Sequence, residues 1–171
     1  MKTWSHVRKD ALQIYSHKEN YAYLYCANGE IGTTALVNSL WNTYYDHFKK
    51  YVLDTGHTKE DLIKHVVGKK CYDCSSFICT ITQSEYPNLS ISQDMNSTSL
   101  KKHFAVTRTP VEGTASSILW KKGHVALDLG SGMAMDFACE FVDMRLYPIA
   151  DGNFTLDGEL DYIDYTGTSN L

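Results

Sequence analysis

The chain lacks any apolar run approaching the roughly 20 residues that span a bilayer, so no membrane-crossing helix is expected. Its opening segment, Met1-Lys2-Thr3-Trp4-Ser5-His6-Val7-Arg8-Lys9-Asp10, lacks the apolar core of a secretory signal. A product without a signal reaches an extracellular target only if something else releases or delivers it. Basic residues are not in excess: 16 Lys and Arg against 20 Asp and Glu leave a net charge of −4. No basic stripe stands out, which argues against a nucleic-acid partner. The five cysteines, Cys26, Cys71, Cys74, Cys79 and Cys139, are odd in number. Without a signal, that argues against a disulfide framework. Internal repeats and linkers are missing as well.

What is present suits one domain with a real core. The 171 residues are 43% hydrophobic and 21% charged, and residues 1–171 read as a single unit. The twelve tyrosines suit either a polar-ligand surface or half-buried packing.

The first half of the chain is helical in pattern. Trp4, Val7, Ala11, Leu12, Ile14 and Tyr15 share a helix face within residues 3–17. Residues 20–32 read as a loop with an aromatic, extended approach. Val37, Leu40, Trp41, Tyr44, Tyr45, Phe48, Tyr51 and Val52 predict one helix over 34–53, stopped by Gly56. Thr58 caps a short helix running to about Val67. Asp73 is a good N-cap for a helix over 74–83. Residues 84–116 read as a long polar loop with one short helix near Ser99–Phe104.

From Ser117 the period changes to two. Strands are expected at Ile118–Trp120, His124–Leu129, Met133–Phe137 and Phe141–Tyr147, with a hairpin turn at Ser131-Gly132 and a last strand near Leu160–Tyr165. Helices first and strands last predict an α+β fold, with N-terminal helices packed on a C-terminal antiparallel sheet of about five strands.

Two segments carry chemistry: Asp73-Cys74-Ser75-Ser76-Phe77 at a helix start, and Gly123-His124-Val125-Ala126-Leu127-Asp128-Leu129-Gly130 in a strand. In the first turn of a helix, free amides and the dipole stabilise a thiolate, and a nearby imidazole can take the thiol proton. Pairing across the Ser131-Gly132 turn puts Met133 opposite Leu129 or Gly130 and brings Asp136 close to His124, where a carboxylate would orient the imidazole. Asp128 is the rival for that role; otherwise it is a solvent-facing strand residue. His6, His17, His47, His57, His65 and His103 are expected at solvated helix or loop positions. Cys71-x-x-Cys74 is half of a zinc motif whose second half is missing, so no metal or other cofactor is expected. A thioredoxin-like redox pair needs a strand–helix frame that the preceding helix does not supply.

These residues resemble the NlpC-type cell-wall peptidases, papain-like cysteine hydrolases that cut peptidoglycan stem peptides. That family carries Asp-Cys-Ser-Gly-Phe at a helix start, Gly-His-Val-Gly-Ile-Tyr-Leu-Gly in a strand, and a polar residue twelve positions after the histidine. Here Asp136 stands at that offset. The family's Tyr-x-Tyr-Gly-Gly segment is matched by Tyr23-Leu24-Tyr25-Cys26-Ala27. The closing stretch, Gly158 to Tyr165, is similar to phage and gut-bacterial members without a signal peptide.

The resemblance implies a Cys74–His124–Asp136 triad. It implies that Tyr23 closes over the reacting centre and helps hold the oxyanion, and that Asp73 and Ser75 lie at the substrate-binding end of the groove. The implied reaction is hydrolysis of the D-glutamyl bond to diaminopimelate or lysine, by a monomer acting on the wall after lysis, phage delivery or export without a signal. An N-acetylmuramoyl-L-alanine amidase and a wall-peptide binding module remain alternatives. The chain departs from the pattern in four places. Ser76 replaces a glycine, a mild change within a helix. Cys26-Ala27 replaces paired glycines, leaving the loop less free to adopt positive φ. Asp136 replaces the usual histidine. A helical insertion at about 34–67 separates Tyr25 from Asp73 and is expected to wall one side of the groove.

Overall fold

A computed structural model describes residues 1–110 and 117–166. Residues 111–116, the end of the expected polar loop, and residues 167–171 of the expected domain lie outside the described residues. In chain order the elements are β1 (Lys2–Thr3), α1 (Trp4–Tyr15), β2 (Tyr21–Tyr23), β3 (Asn28–Ile31), α2 (Thr34–Thr43), α3 (Tyr45–Tyr51), α4 (Lys59–Val66), β4 (Lys70–Tyr72), α5 (Cys74–Gln83), α6 (Ser97–Lys101), β5 (Phe104–Arg108), β6 (Ser117–Lys121), β7 (His124–Asp128), β8 (Met133–Phe137), β9 (Met144–Pro148), β10 (Leu156–Leu160) and β11 (Ile163–Asp164). Among the described residues no helix is long and apolar enough to cross a membrane.

The fold is α+β, built on a six-stranded antiparallel sheet in the order β5-β10-β6-β7-β8-β9. Four of the five expected strands correspond to β6 to β9. The fifth, expected near Leu160–Tyr165, meets β10 only at Leu160 and otherwise covers β11, which pairs with β1 outside this sheet. No strand is expected from the sequence at β5. That edge strand is largely exposed and pairs only with β10, so its sequence carries no apolar alternation. The stretch expected as a loop over 20–32 instead supplies β2 and β3, which flank β4 in a three-stranded sheet. These strands are too short to show a period.

Alternation along the large sheet decides its two faces. Ile118, Val125, Leu127, Met135 and Phe137 turn toward the helices and pack with Phe77, Ile78 and Ile81 of α5 and with Trp4, Val7 and Ile14 of α1. Phe77 and Phe137 meet with ring centroids 4.9 Å apart. The opposite face holds a small apolar cluster of Leu119, Ala126, Ala134 and Ile149, and it also carries His124, Asp128 and Asp136.

The region 34–67 forms a second core. Val37, Trp41, Phe48, Val52, Leu62 and Val66 pack on Ala22 and Cys71 of the small sheet and on Leu24 just beyond β2. The single helix expected over 34–53 breaks at Tyr44, whose backbone leaves the helical region (φ −122, ψ 41), although the apolar spacing persists across the break. The excursion returns to where it left. Gly32 bridges to Val67, its N–H donates to the Lys69 carbonyl (2.8 Å), and its carbonyl accepts from Gly68 (3.0 Å).

At this closing point a Cβ on Gly32 would lie 2.1 Å from the Val66 carbonyl oxygen. Gly32→Ala is therefore expected to destabilise the protein by about 1–3 kcal/mol through overpacking against backbone. Urea denaturation checks this, and an unchanged midpoint would contradict it.

Candidate active site

The site begins with the cap of α5. The Asp73 carboxylate accepts from the Ser76 N–H (2.8 Å) and the Ser75 hydroxyl (3.0 Å). The Ser76 hydroxyl accepts from the Asp73 N–H (2.9 Å) and donates to the Ala27 carbonyl (2.7 Å), closing a capping box. Ser76 is fully buried. Ser76 thus ties α5 to the Tyr23–Ala27 segment, more than the mild helix position expected of it. Asp73 and Ser75 face this cap and do not line the cleft described below.

Cys74 opens α5 and is 9% exposed. Burial pushes its thiol up to about 12, and the Asp73 charge adds to that, while the N–H groups of Val125 and Ser75 pull the other way. The helix start was expected to favour a thiolate. Here burial opposes the helix-end effect and is the larger influence on the thiol; it raises the Asp73 carboxyl of the N-cap as well. The thiol is neutral at rest.

His124 opens β7. Its Nε2 lies 2.7 Å from Asp136 Oδ2. Leu129 donates to the Met133 carbonyl across the Ser131-Gly132 turn (2.9 Å), and both turn residues have positive φ. Asp128 pairs with Ala134, so Asp136 falls on the face of Ala126, diagonal to His124. Asp136 is completely buried and collects more donors. Arg145, directly opposite on β9, gives Nε to Oδ1 (3.0 Å) and Nη2 to Oδ2 (2.7 Å), and the Tyr147 hydroxyl donates to Oδ2 (2.7 Å). Burial works against the charge, but these donors outweigh it and hold the carboxyl below the usual range. An ionised carboxylate only accepts, so the His124 proton sits on Nε2 and Nδ1 is left as a base.

Cys74, His124 and Tyr23 line one cleft of about 410 Å³. Its lining also includes Tyr25, His47 and Tyr51, the latter two from α3. The side nearest His124 is Lys121, Lys122 and Gly123 from the β6–β7 turn, with Ala138, Cys139 and Arg145 completing the lining. The Tyr25–His47 part of the lining is rigidly built. The His47 ring stacks on Tyr25 with centroids 3.7 Å apart, and its Nε2 meets the buried Glu140 carboxylate (3.1 Å), which also accepts from the Tyr25 N–H (3.3 Å). His65 Nε2 meets Asp143 (2.8 Å), which accepts from the Tyr23 N–H (2.7 Å). Two carboxylates of the β8–β9 turn therefore each join the insertion to the Tyr23–Tyr25 segment. His47 and His65 are half-buried and paired, not the solvated positions expected, and exposed His57 stacks on Phe141 with centroids 4.0 Å apart. Cys26 takes a left-handed conformation (φ 61), which costs a residue other than glycine on the order of 1 kcal/mol.

Arg145, Tyr147, Glu140 and Asp143 were not singled out from the sequence. Arg145 and Tyr147 alternate on β9 and would have declared themselves had that strand been started at Met144 rather than Phe141. The turn before it contains two left-handed residues, Phe141 and Asp143, with neither glycine nor proline to mark it. Among the described residues no cluster of His, Cys, Asp and Glu is arranged to hold a metal.

Asp128 is neither solvent-facing nor near enough to replace Asp136. It is fully buried, accepts from the Gly130 N–H (2.8 Å), and is pushed up to about 7 by burial, with Asp157 adding to the effect. Because its folded value exceeds the unfolded value of 3.8, its stabilising protonated form is lost as pH rises from about 4 to about 7. Asp128→Asn is expected to flatten that dependence and raise stability at pH 8 by on the order of a few kcal/mol in chemical denaturation. A pH profile unchanged from wild type would contradict this. Compared with known proteins, the chain matches no family model, no curated protein and no solved structure.

Proposed function

We propose that the protein is a papain-like cysteine peptidase that hydrolyses an amide bond in peptidoglycan stem peptides, of the D-glutamyl to diaminopimelate or lysine type. The observation that carries this reading is the cleft shared by Cys74 and His124, with His124 held by a buried, ionised Asp136. The bond class rests on the likeness of the cysteine, histidine and tyrosine segments to the NlpC-type peptidases.

The neutral thiol makes His124 a general base rather than the partner of a preformed thiolate. His124 Nδ1 takes the thiol proton as sulfur attacks the carbonyl carbon, and the resulting imidazolium is stabilised through Nε2 by Asp136. The carbonyl oxygen gains charge and accepts from the Cys74 N–H at the start of α5 and from the Tyr23 hydroxyl. Burial raises the Tyr23 phenol, which keeps it a neutral donor. His124 then protonates the leaving amine, and water attacks the thioester by the same route in reverse.

One observation favours a second reading. A thiol held near 12 also suits a module that grips wall peptide without cutting it. Cys74→Ala separates the two: it is expected to abolish lysis of purified cell walls with the fold intact, and Asp136→Asn to slow lysis by about 10²–10⁴. The mass of the released fragments identifies the bond. Undiminished lysis by Cys74→Ala, or no lysis by wild type, would overturn the proposal.

A further inference from the structure

The apolar spacing over 34–53 counts Tyr44 and Tyr45 among its positions, yet neither joins the core beneath. The break between α2 and α3 falls at Tyr44, and it leaves the two adjacent rings in solvent, 38% and 48% exposed. Single exposed aromatics are ordinary, but two side by side at a cavity point to a binding role. These two border a second opening of about 390 Å³, within the size range of small-molecule sites. Its lining includes Tyr25, Asn42, Tyr44, Tyr45, Asp46 and His47. The rings are set in advance. Tyr44 meets Tyr25 edge-on with centroids 5.4 Å apart, Tyr45 meets Trp41 edge-on at 6.5 Å, and Tyr25 lies flat on His47. Preorganised rings lose little freedom when a ligand arrives. Asn42 and Asp46 are exposed, and among the described residues their side chains have no hydrogen-bond partner. Among the described residues no lysine or arginine lines the opening, so nothing there balances a phosphate or a carboxylate on a ligand.

From this arrangement we infer that the opening between α2 and α3 is a saccharide site, with sugar ring faces against Tyr44 and Tyr45 and sugar hydroxyl or amide groups on Asn42 and Asp46. Aromatic rings beside an amide and a carboxylate suit a ligand that is neutral, presents C–H faces and donates hydrogen bonds around its edge. An apolar segment of a protein would instead cover Asn42 and Asp46 without pairing them. The opening adjoins the Cys74–His124 cleft, since Tyr25 and His47 line both. A stem peptide hangs from a sugar, so adjoining sites suit adjoining parts of one polymer. On the peptidase reading, on which this refinement rests, the sugar is an N-acetylhexosamine of the glycan that carries the peptide. That a saccharide binds rests on the opening alone.

The test is an NMR titration of Cys74→Ala protein with the linear tetramer of N-acetylglucosamine, a probe that carries no peptide and needs no turnover. A dissociation constant of about 1 mM or tighter is expected, with the backbone amides of residues 42–47 shifting most. Tyr45→Ala in the same background is expected to weaken binding at least about tenfold, and Tyr45→Phe to keep it, because the ring face rather than the hydroxyl is used. No shift at about 10 mM sugar, shifts that leave residues 42–47 untouched, or undiminished binding by Tyr45→Ala would overturn the inference. So would shifts at 42–47 that follow protein concentration without sugar, which would mark this face as a contact between two copies. Lysis of purified walls by wild type keeps the two proposals apart. Sugar binding without lysis would sink the peptidase reading and keep the saccharide site. Lysis without sugar binding would do the reverse.

Discussion

The site depends on one buried charge. Asp136 lies fully inside the protein, and an isolated carboxylate there would protonate rather than bear the desolvation cost. It stays ionised because three side chains converge on it from two neighbouring strands: His124 diagonally from β7, Arg145 and Tyr147 from β9. Strand register is what makes this possible, since a slip of one residue on β8 would turn Asp136 toward Phe77 and the helices. Once ionised, Asp136 dictates the tautomer of His124 and therefore where its basic nitrogen is. Arg145 supplies the counter-charge to the buried carboxylate.

The same logic of charge facing inward holds the aromatic part of the lining. Glu140 and Asp143, on the turn between β8 and β9, are fixed by histidines of the insertion and by backbone N–H groups of the segment around Tyr23. The insertion is therefore not an ornament hung on the fold. It closes on itself at Gly32 and Gly68, has its own apolar core, and sets two aromatic rings over the cleft. Each tie uses a carboxylate from the strand pair that carries Asp136. One turn thus aligns the base, the tyrosine segment and the wall.

Much of this was legible in the sequence, and the limits are physical. Helices with strong caps announced themselves: Asp73 and Thr58 each stand before a helix whose start the structure matches. The β7–β8 hairpin was readable because Ser131-Gly132 is a turn signal and the alternation on both sides is clean. From that hairpin alone Asp136 could be placed beside His124. Short or exposed strands were not readable: β2 and β3 are too short for a period, and β5 lies at the sheet edge. The break at Tyr44 left no trace, because the apolar spacing continues through it. The state of Cys74 was misjudged for another reason. A helix start argues for a thiolate, but burial and the neighbouring Asp73 charge are tertiary facts that oppose it and prevail.

The most direct test of the account is the tautomer of His124, read by long-range proton–nitrogen NMR on the protein with its other histidines assigned. With Asp136 ionised, the neutral tautomer of His124 is expected to be the one that carries its proton on Nε2, and Asp136→Asn should disturb that preference. A neutral ring with its proton on Nδ1, or a wild-type tautomer that does not respond to the loss of the Asp136 charge, would contradict it.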